Sequence, residues 1–462
     1  MCALPEKPKE ILTRIGLYAA YVFLMLSVLR IASHAGDGFL SVQQQEMVYY
    51  VLQIFVILGF FAYAFVRERH RIHMERGLRI GILAAFFVCV TAMLFGKSSP
   101  VYMATAFLAA TCLGYLGGAV YERMGELAGA GGRVAAIGSV GYAVGIALQY
   151  LLQFWRGRSR LLPAAMLLAV CLLAWQLVGK AERPTEAAEA PARRDAPPRR
   201  TLLFACLIAA IMLLFLQFYN SYIQHLQIIS GYVEYNVYTW PRLVMIPCLL
   251  LFALLGARRE GRYVPLAALC IALAALLNAV LVGSAGTYRL NMCLFYAALA
   301  ATVSYYNLVF WRLAPGTKRP ALWASMGRVI DSASVLLGAL LRIGTLPSAA
   351  VMAVNVAGLA ALIVLMAVNG DFVFAASEAP AAPAPDAETR LAAMASRYGL
   401  TPKETALLRE LVLTEDKQTV IGERMDLKVK TIQKYVTQIY RKTGATTRSG
   451  LTELYHNTMA GI

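Results

Sequence analysis

Residues 427–444, LKVKTIQKYVTQIYRKTG, hold the chain's best arrangement of side chains for gripping a polyanion. Val429, Ile432, Val436 and Ile439 recur at three and four residues, which draws one buried stripe along a helix. The other side carries Lys430, Thr431, Gln433, Lys434, Thr437, Gln438, Arg441 and Lys442, and it holds no acid. Gly444 stands where a left-handed C-terminal cap is expected, and Arg441 and Lys442 lie in the last turn, where the helix dipole favours cations. A helix with one dry face and one cationic or neutral-polar face suits the major groove of DNA. Lys430, Gln433, Lys434 and Thr437 are placed to reach bases or adjacent phosphates. Lys428, Thr431 and Arg441 are placed to hold the backbone, with Gln438 beside them.

The flanking residues predict what holds that helix. In Leu400-Thr401-Pro402-Lys403-Glu404, Thr401 can cap a helix, Pro402 fits its first turn and Glu404 completes a capping box. Leu407, Leu408, Leu411 and Val412 give it a buried face. A shorter helix is expected over 417–425, with Ile421, Met425 and nearby Leu427 inward. A fourth starts near Thr447 and buries Leu451, Leu454 and Tyr455. Four short helices with a basic third one make a helix-turn-helix module.

With LTPKE, Ile421-Gly422-Glu423-Arg424-Met425, Leu427, Thr431-Ile432-Gln433, Ile439 and Lys442-Thr443-Gly444 in an ungapped register, residues 396–462 resemble the LuxR-type helix-turn-helix transcription regulators. The resemblance implies double-stranded DNA as partner, and a homodimer reading two half-sites through the fourth helix. It also allows contact with RNA polymerase. Four positions depart from the family pattern: Lys428 replaces a capping Ser, Gln433 a Lys, Tyr435 a His and Glu415 a Gly. Losing the Ser cap costs about 1 kcal/mol of helix stability, and Gln433 favours adenine over a charged contact. These changes bear on the target sequence more than on DNA binding.

The rest of the chain has another composition. It is 59% hydrophobic and only 15% charged, with a mean hydropathy of +0.60, which excludes an ordinary soluble protein. Apolar runs long enough to cross a bilayer recur at 15–33, 47–66, 78–95, 100–121, 134–154, 161–179, 201–221, 239–256, 264–283, 289–311, 325–346 and 349–369. The first run lacks a small-residue cleavage site and reads as a retained helix. Of the twelve, 239–256 and 325–346 are among the shorter or more polar, and re-entrant or half-buried structure is the alternative there. Loops 67–79, 122–133, 180–200, 257–262 and 312–319 together hold 19 Lys and Arg. This bias puts them, and both termini, on the cytoplasmic side. WRGRSR at 155–160 is the one basic loop on the other side.

The formal charge of +17 is therefore mostly topological, since residues 396–462 carry 11 Lys and Arg against 7 Asp and Glu. Cys89, Cys112, Cys171, Cys206, Cys248, Cys270 and Cys293 lie singly within spans and form no metal or disulfide framework. The five histidines are scattered, with no catalytic or metal-binding spacing, so no enzyme, metal or cofactor is expected.

The spans fall into two sixes, 1–179 and 201–374, around a Pro-, Ala- and Arg-rich linker at 180–200, each with a basic turn after its second helix. This placement resembles the major facilitator superfamily in architecture, although the family's G-x-x-x-D-R-x-G-R-R loop is absent. The resemblance implies a central cavity lined by the first, fourth, seventh and tenth helices. Polar side chains in spans are costly in lipid and tend to face such a cavity. The candidates are Arg30, Gln217, Tyr219, Asn220, Arg242, Tyr305 and Tyr306, with Tyr222, Asn307 and the Arg328–Asp331 pair nearby in sequence. Aromatic, amide and Arg groups suit a small aromatic or acidic ligand. The bland alternatives are interfacial belt residues and snorkelling arginines.

The expectation is thus an all-α chain. A polytopic membrane domain of about twelve helices in two six-helix halves (1–374) is followed by a Pro/Ala-rich linker (375–395) and a four-helix DNA-binding domain (396–462). It reads as a multi-pass cell-membrane regulator, bathed in lipid and controlled by a small-molecule effector. A facilitator-type secondary transporter with a regulatory tail is the rival reading.

Overall fold

The computed structural model describes residues 8–34, 39–69, 72–96, 98–129, 133–153, 161–179, 197–230, 240–257, 264–280, 285–375, 387–414, 416 and 418–457. The apolar runs become helices because a helix satisfies its own backbone groups, which lipid cannot do. They are α1 (Pro8–His34), α2 (Val42–Arg69), α3 (Ile72–Phe95), α4 (Ser99–Gly129), α5 (Val134–Gln153) and α6 (Leu161–Ala174), then α7 (Arg199–Ser230), α8 (Met245–Ala257), α9 (Val264–Val280), α10 (Ala285–Leu313), α11 (Pro320–Leu340) and α12 (Ser348–Ala375). A π-helical turn, Trp175–Gly179, extends α6, and a 3₁₀ turn, Trp240–Val244, leads into α8. The linker residues 180–196 lie outside the described residues.

Among the described residues, eight of these helices are long and apolar enough to cross a membrane: α1–α5, α7, α10 and α12. The apolar stretches Leu162–Leu177, Trp240–Leu255 and Ala267–Asn278 are shorter. The expected span 325–346 is corrected: α11 starts at Pro320, ends at Leu340 and is amphipathic. It buries Ser325, Arg328, Ser332 and Ser334, polar side chains that neighbouring helices must cover. Elsewhere the surface is apolar, with Val88, Phe95, Leu254 and Val364 at least 60% exposed. Ser27, Gln53, Asn291 and Asn355 are meanwhile buried. Apolar outside and polar inside is the arrangement that lipid as solvent favours, and it belongs to a multi-pass membrane protein.

The packing repeats with an offset of six helices. Contacts α1–α5, α1–α6, α2–α4 and α3–α4 in one half are matched by α7–α11, α7–α12, α8–α10 and α9–α10 in the other. Between the halves, α5 packs on α8 as α11 packs on α2. Each half is therefore the other's structural repeat. At the α2–α4 seam, a Cβ on Gly114 would run into the Val56 carbonyl and meet the Gly59 Cα, so these helices approach closely only because both residues lack one.

The C-terminal unit is separate. It comprises α13 (Ala387–Tyr398), α14 (Pro402–Leu413), α15 (Gln418–Arg424), α16 (Val429–Thr443) and α17 (Arg448–Asn457). The expected linker 375–395 and the expected count of four helices are corrected here, since 387–395 is helical. Leu391 and Met394 of α13, 2% and 0% exposed, join Leu407, Leu408, Leu411, Ile421, Ile432, Val436, Ile439, Leu451 and Tyr455 in one core. The last proline of that stretch is Pro385, and between it and the end of α13 nothing opposes a helix. Residues 376–386 of that linker lie outside the described residues.

Candidate functional site

Local sequence chemistry sets up α16. Thr401 and Glu404 form both arms of the capping box on α14, and Gly444 ends α16 in the left-handed region at φ 77°. Between α15 and α16 the chain turns at Asp426, φ 52°, a conformation that Asp tolerates better than most residues. Lys428 is the N-cap of α16 and gives no side-chain hydrogen bond to it.

Ile432, Val436, Ile439 and Thr443 are the buried face of α16. Val429, expected in that stripe, is 38% exposed, because it opens the helix ahead of the first full turn that meets the core. Lys428, Lys430, Gln433, Lys434, Thr437 and Arg441 are exposed, and Thr431 and Gln438 are half-buried at the edges. Lys430, Gln433, Lys434, Thr437 and Arg441 lie on one strip at helical spacing. Thr437 turns its hydroxyl back to the Gln433 carbonyl, 2.9 Å away, which leaves its lone pairs and methyl outward.

Lys442 is the exception among the cations. Its ammonium donates to Glu404 Oε2 at 2.7 Å and to the Gly399 carbonyl at 3.0 Å, so it braces α16 against the start of α14. The Lys442 and Thr401 hydrogen bonds hold the Glu404 carboxyl down at about 2. Arg448 likewise acts inside the unit, with Nε donating to the Leu411 carbonyl at 2.8 Å and Nη1 to the Asp416 carbonyl at 2.6 Å. Its Nη2 donates to Thr414 O, so one guanidinium ties down the α14–α15 connection. Arg424 is neutralised by Glu410 and Asp416. Periodicity alone could not find these three roles, because their partners are remote in sequence.

In the membrane unit the sequence candidates divide. Tyr219 is buried, and its hydroxyl donates to the Ala275 carbonyl at 2.8 Å, a brace between α7 and α9. Arg242 donates to Gln149 Oε1 at 2.9 Å, joining the turn before α8 to α5. Gln217 packs by Gly338 on α11, and Asn220 and Arg30 are half-buried on α7 and α1. Tyr305 is buried within the helix bundle. None of these six lines the cavity described next. Tyr306 alone reaches the central cluster, where Arg328 Nη1 lies 3.5 Å from its hydroxyl. Arg328 also pairs with Asp331 one turn on.

That cluster was largely hidden in the sequence. Asn307 Nδ2 donates to the Tyr18 hydroxyl at 2.9 Å, and Tyr18 shares a 3.3 Å hydrogen bond with Tyr121. The Trp311 ring stands edge-on to Tyr18 at 5.3 Å and tilted to Tyr121 at 5.7 Å. Tyr21 meets Tyr121 at 5.9 Å, and Tyr142 meets Tyr18 at 6.2 Å. Ser139, Tyr142, Ser304, Asn307 and Trp311 line a cavity of about 10 Å³, room for about one water. The available signal was mid-span tyrosines opposite glycines. A Cβ on Gly138 would overlap the Trp311 ring, and one on Gly327 the Tyr306 ring.

Fold and site together define a helical membrane protein of two repeated six-helix halves meeting at a buried aromatic and polar cluster, with a separate helical unit after it. No protein-family model matches the chain, and no curated protein does. Among solved structures, it is similar to the human organic anion transporter MFSD10 (TETRAN), with a TM-score of 0.51 over 80% of this chain and 99% of that one. At 14% identity the likeness is one of fold.

Proposed function

We propose that the chain is a membrane-embedded, one-component transcription regulator. In this reading α15, its turn and α16 form a helix-turn-helix that places α16 in the major groove, and two copies pair through α17 on two half-sites. The membrane unit binds a small-molecule effector and sets whether the C-terminal unit is competent for DNA. Both termini are cytoplasmic, and RNA polymerase is a further partner. One observation carries the reading: the exposed strip Lys430, Gln433, Lys434, Thr437 and Arg441 contains no acid and is mounted on a face buried through Ile432, Val436 and Ile439. Mobility-shift assays of the full-length protein in detergent against genomic fragments, with and without residues 379–462, test it. Equal retention of DNA by both forms would end the proposal.

A second reading is a facilitator-type secondary transporter whose tail is regulatory. The likeness to a solved transporter, named for organic anions, favours it. Uptake by vesicles carrying residues 1–378 separates the two: a transporter keeps uptake without its tail, whereas a regulator loses transcriptional output.

A further inference from the structure

The central cluster holds polar groups that its own side chains do not satisfy. Two groups that can only donate, Trp311 Nε1 and Arg328 Nε, are buried without a partner, as are the acceptor Asn307 Oδ1 and the hydroxyls of Tyr21 and Ser304, which can donate or accept. Tyr21, Asn307, Trp311 and Arg328 are at most 7% exposed. Buried polar groups are ordinarily satisfied, and a group of exceptions needs an explanation. The cavity of about 10 Å³ is lined by Ser304, Asn307 and Trp311 but not by Tyr21 or Arg328, so a single water in it cannot serve all of these groups.

The Arg328 cation and the Trp311 N–H ask for an acceptor-rich, anionic guest, and an aromatic wall asks for a flat one. Arg328 supplies a planar fork matched to a carboxylate. Its Nη1 lies 3.5 Å from the hydroxyl of Tyr306, the residue before Asn307, which brings it to the same cluster. Asp331 engages one arm of that fork, Arg328 Nη1. The Asp331 side chain is 20% exposed against 9% for Arg328, so the acid is the partner better able to turn away.

Extending the effector reading above, we propose that the cluster binds a small aromatic carboxylate. The guest's carboxylate displaces Asp331 on Arg328, and its ring lies among Trp311, Tyr18, Tyr121 and Tyr142. Asn307 and Ser304 read a hydroxyl or second oxygen on the ring. The two halves must part for the guest to enter, since the cavity is smaller than any ring, and this links occupancy to the arrangement of the halves.

The test uses the full-length protein in lipid nanodiscs, with thermal shift and calorimetric titration. Benzoate is the probe, benzyl alcohol its neutral analogue and cyclohexanecarboxylate its non-aromatic one. Benzoate is expected to raise the melting temperature and the other two to do so less. Asp331→Asn, which removes the competing acid, should bind benzoate more tightly. The double variant Arg328→Gln/Asp331→Asn leaves no buried charge unpaired and should bind benzoate about tenfold or more weakly. Benzyl alcohol binding as well as benzoate, undiminished binding by the double variant, or no response to benzoate would each overturn the proposal. DNA retention is measured on the same preparation. Retention without benzoate binding defeats this inference alone, and benzoate binding without retention defeats the regulator reading alone.

Discussion

Lys442 Nζ lies 2.7 Å from Glu404 Oε2, and the Glu404 side chain is only 3% exposed while that of Lys442 is 30% exposed. The pair joins the last turn of α16 to the first turn of α14, where Thr401 also donates to the same carboxylate from its backbone N–H at 2.7 Å. The strip facing away from the core is therefore aimed by an ion pair as well as by apolar packing.

The pH consequence has a definite sign. Glu404 ionises at about 2 in the folded unit against an ordinary value of 4.5. A carboxyl with a depressed folded value stabilises the fold above its unfolded value, and that contribution is lost as pH falls through the window from about 4.5 to about 2. Thermal melts of fragment 379–462 should lose stability across that window, and Glu404→Gln should flatten the loss. Lys442→Met leaves a buried carboxylate short of a donor and should cost about 1–3 kcal/mol, a drop of roughly 5–20 °C for a unit of this size.

On DNA, Lys434 and Lys442 should part company. Lys434→Ala should weaken binding and lower the salt slope of the affinity by about one unit. Lys442→Met should leave the slope of the folded fraction unchanged, since its ammonium is engaged with Glu404. Gln433→Ala should relax preference at one base position at a cost of about 1–3 kcal/mol. Fluorescence-anisotropy titrations at several salt concentrations measure all three. Equal slopes for Lys434→Ala and the parent protein would remove Lys434 from the interface.

These contrasts mark how far sequence reasoning reaches. The capping box at Thr401–Glu404 and the left-handed Gly444 were legible because each depends on neighbours three or four residues away. So were the long apolar helices, because lipid imposes a length and a composition on each, whereas the amphipathic α11 was read with the wrong bounds. Lys442 was not, because a periodic pattern identifies the side of a helix and says nothing of Glu404, 38 residues earlier. The cluster of Tyr18 with Asn307, 289 residues apart, lay further beyond reach. Helix α13 escaped because alanine and proline in the same stretch lowered the apparent order of residues whose prolines all come first.

Lys428 stands where a capping hydroxyl would serve the backbone N–H groups that open α16. Lys428→Ser should raise the stability of fragment 379–462 by about 1 kcal/mol. The same change removes a cation beside the strip and should weaken DNA binding. Stability and affinity thus move in opposite directions, which denaturant titration and anisotropy on the same variant will show. A variant gaining both would mean that Lys428 does not approach phosphate.

Gly138 and Trp311 offer the corresponding test in the membrane unit. A Cβ at 138 would occupy the space of the Trp311 ring, and that ring is 2% exposed among Tyr18, Tyr121 and the cavity-lining residues. Gly138→Ala must push the indole aside, and overpacking of this kind costs about 1–3 kcal/mol. The full-length protein should melt earlier, and its tryptophan emission should shift as the indole is displaced. Trp311→Phe shortens the ring on the side that meets Gly138. The double variant Gly138→Ala/Trp311→Phe should then recover more stability than the sum of the single changes allows, as residues in direct contact do. Strict additivity would mean that α5 and α10 do not meet at these two positions, and the cluster would lose the wall on which its shape depends.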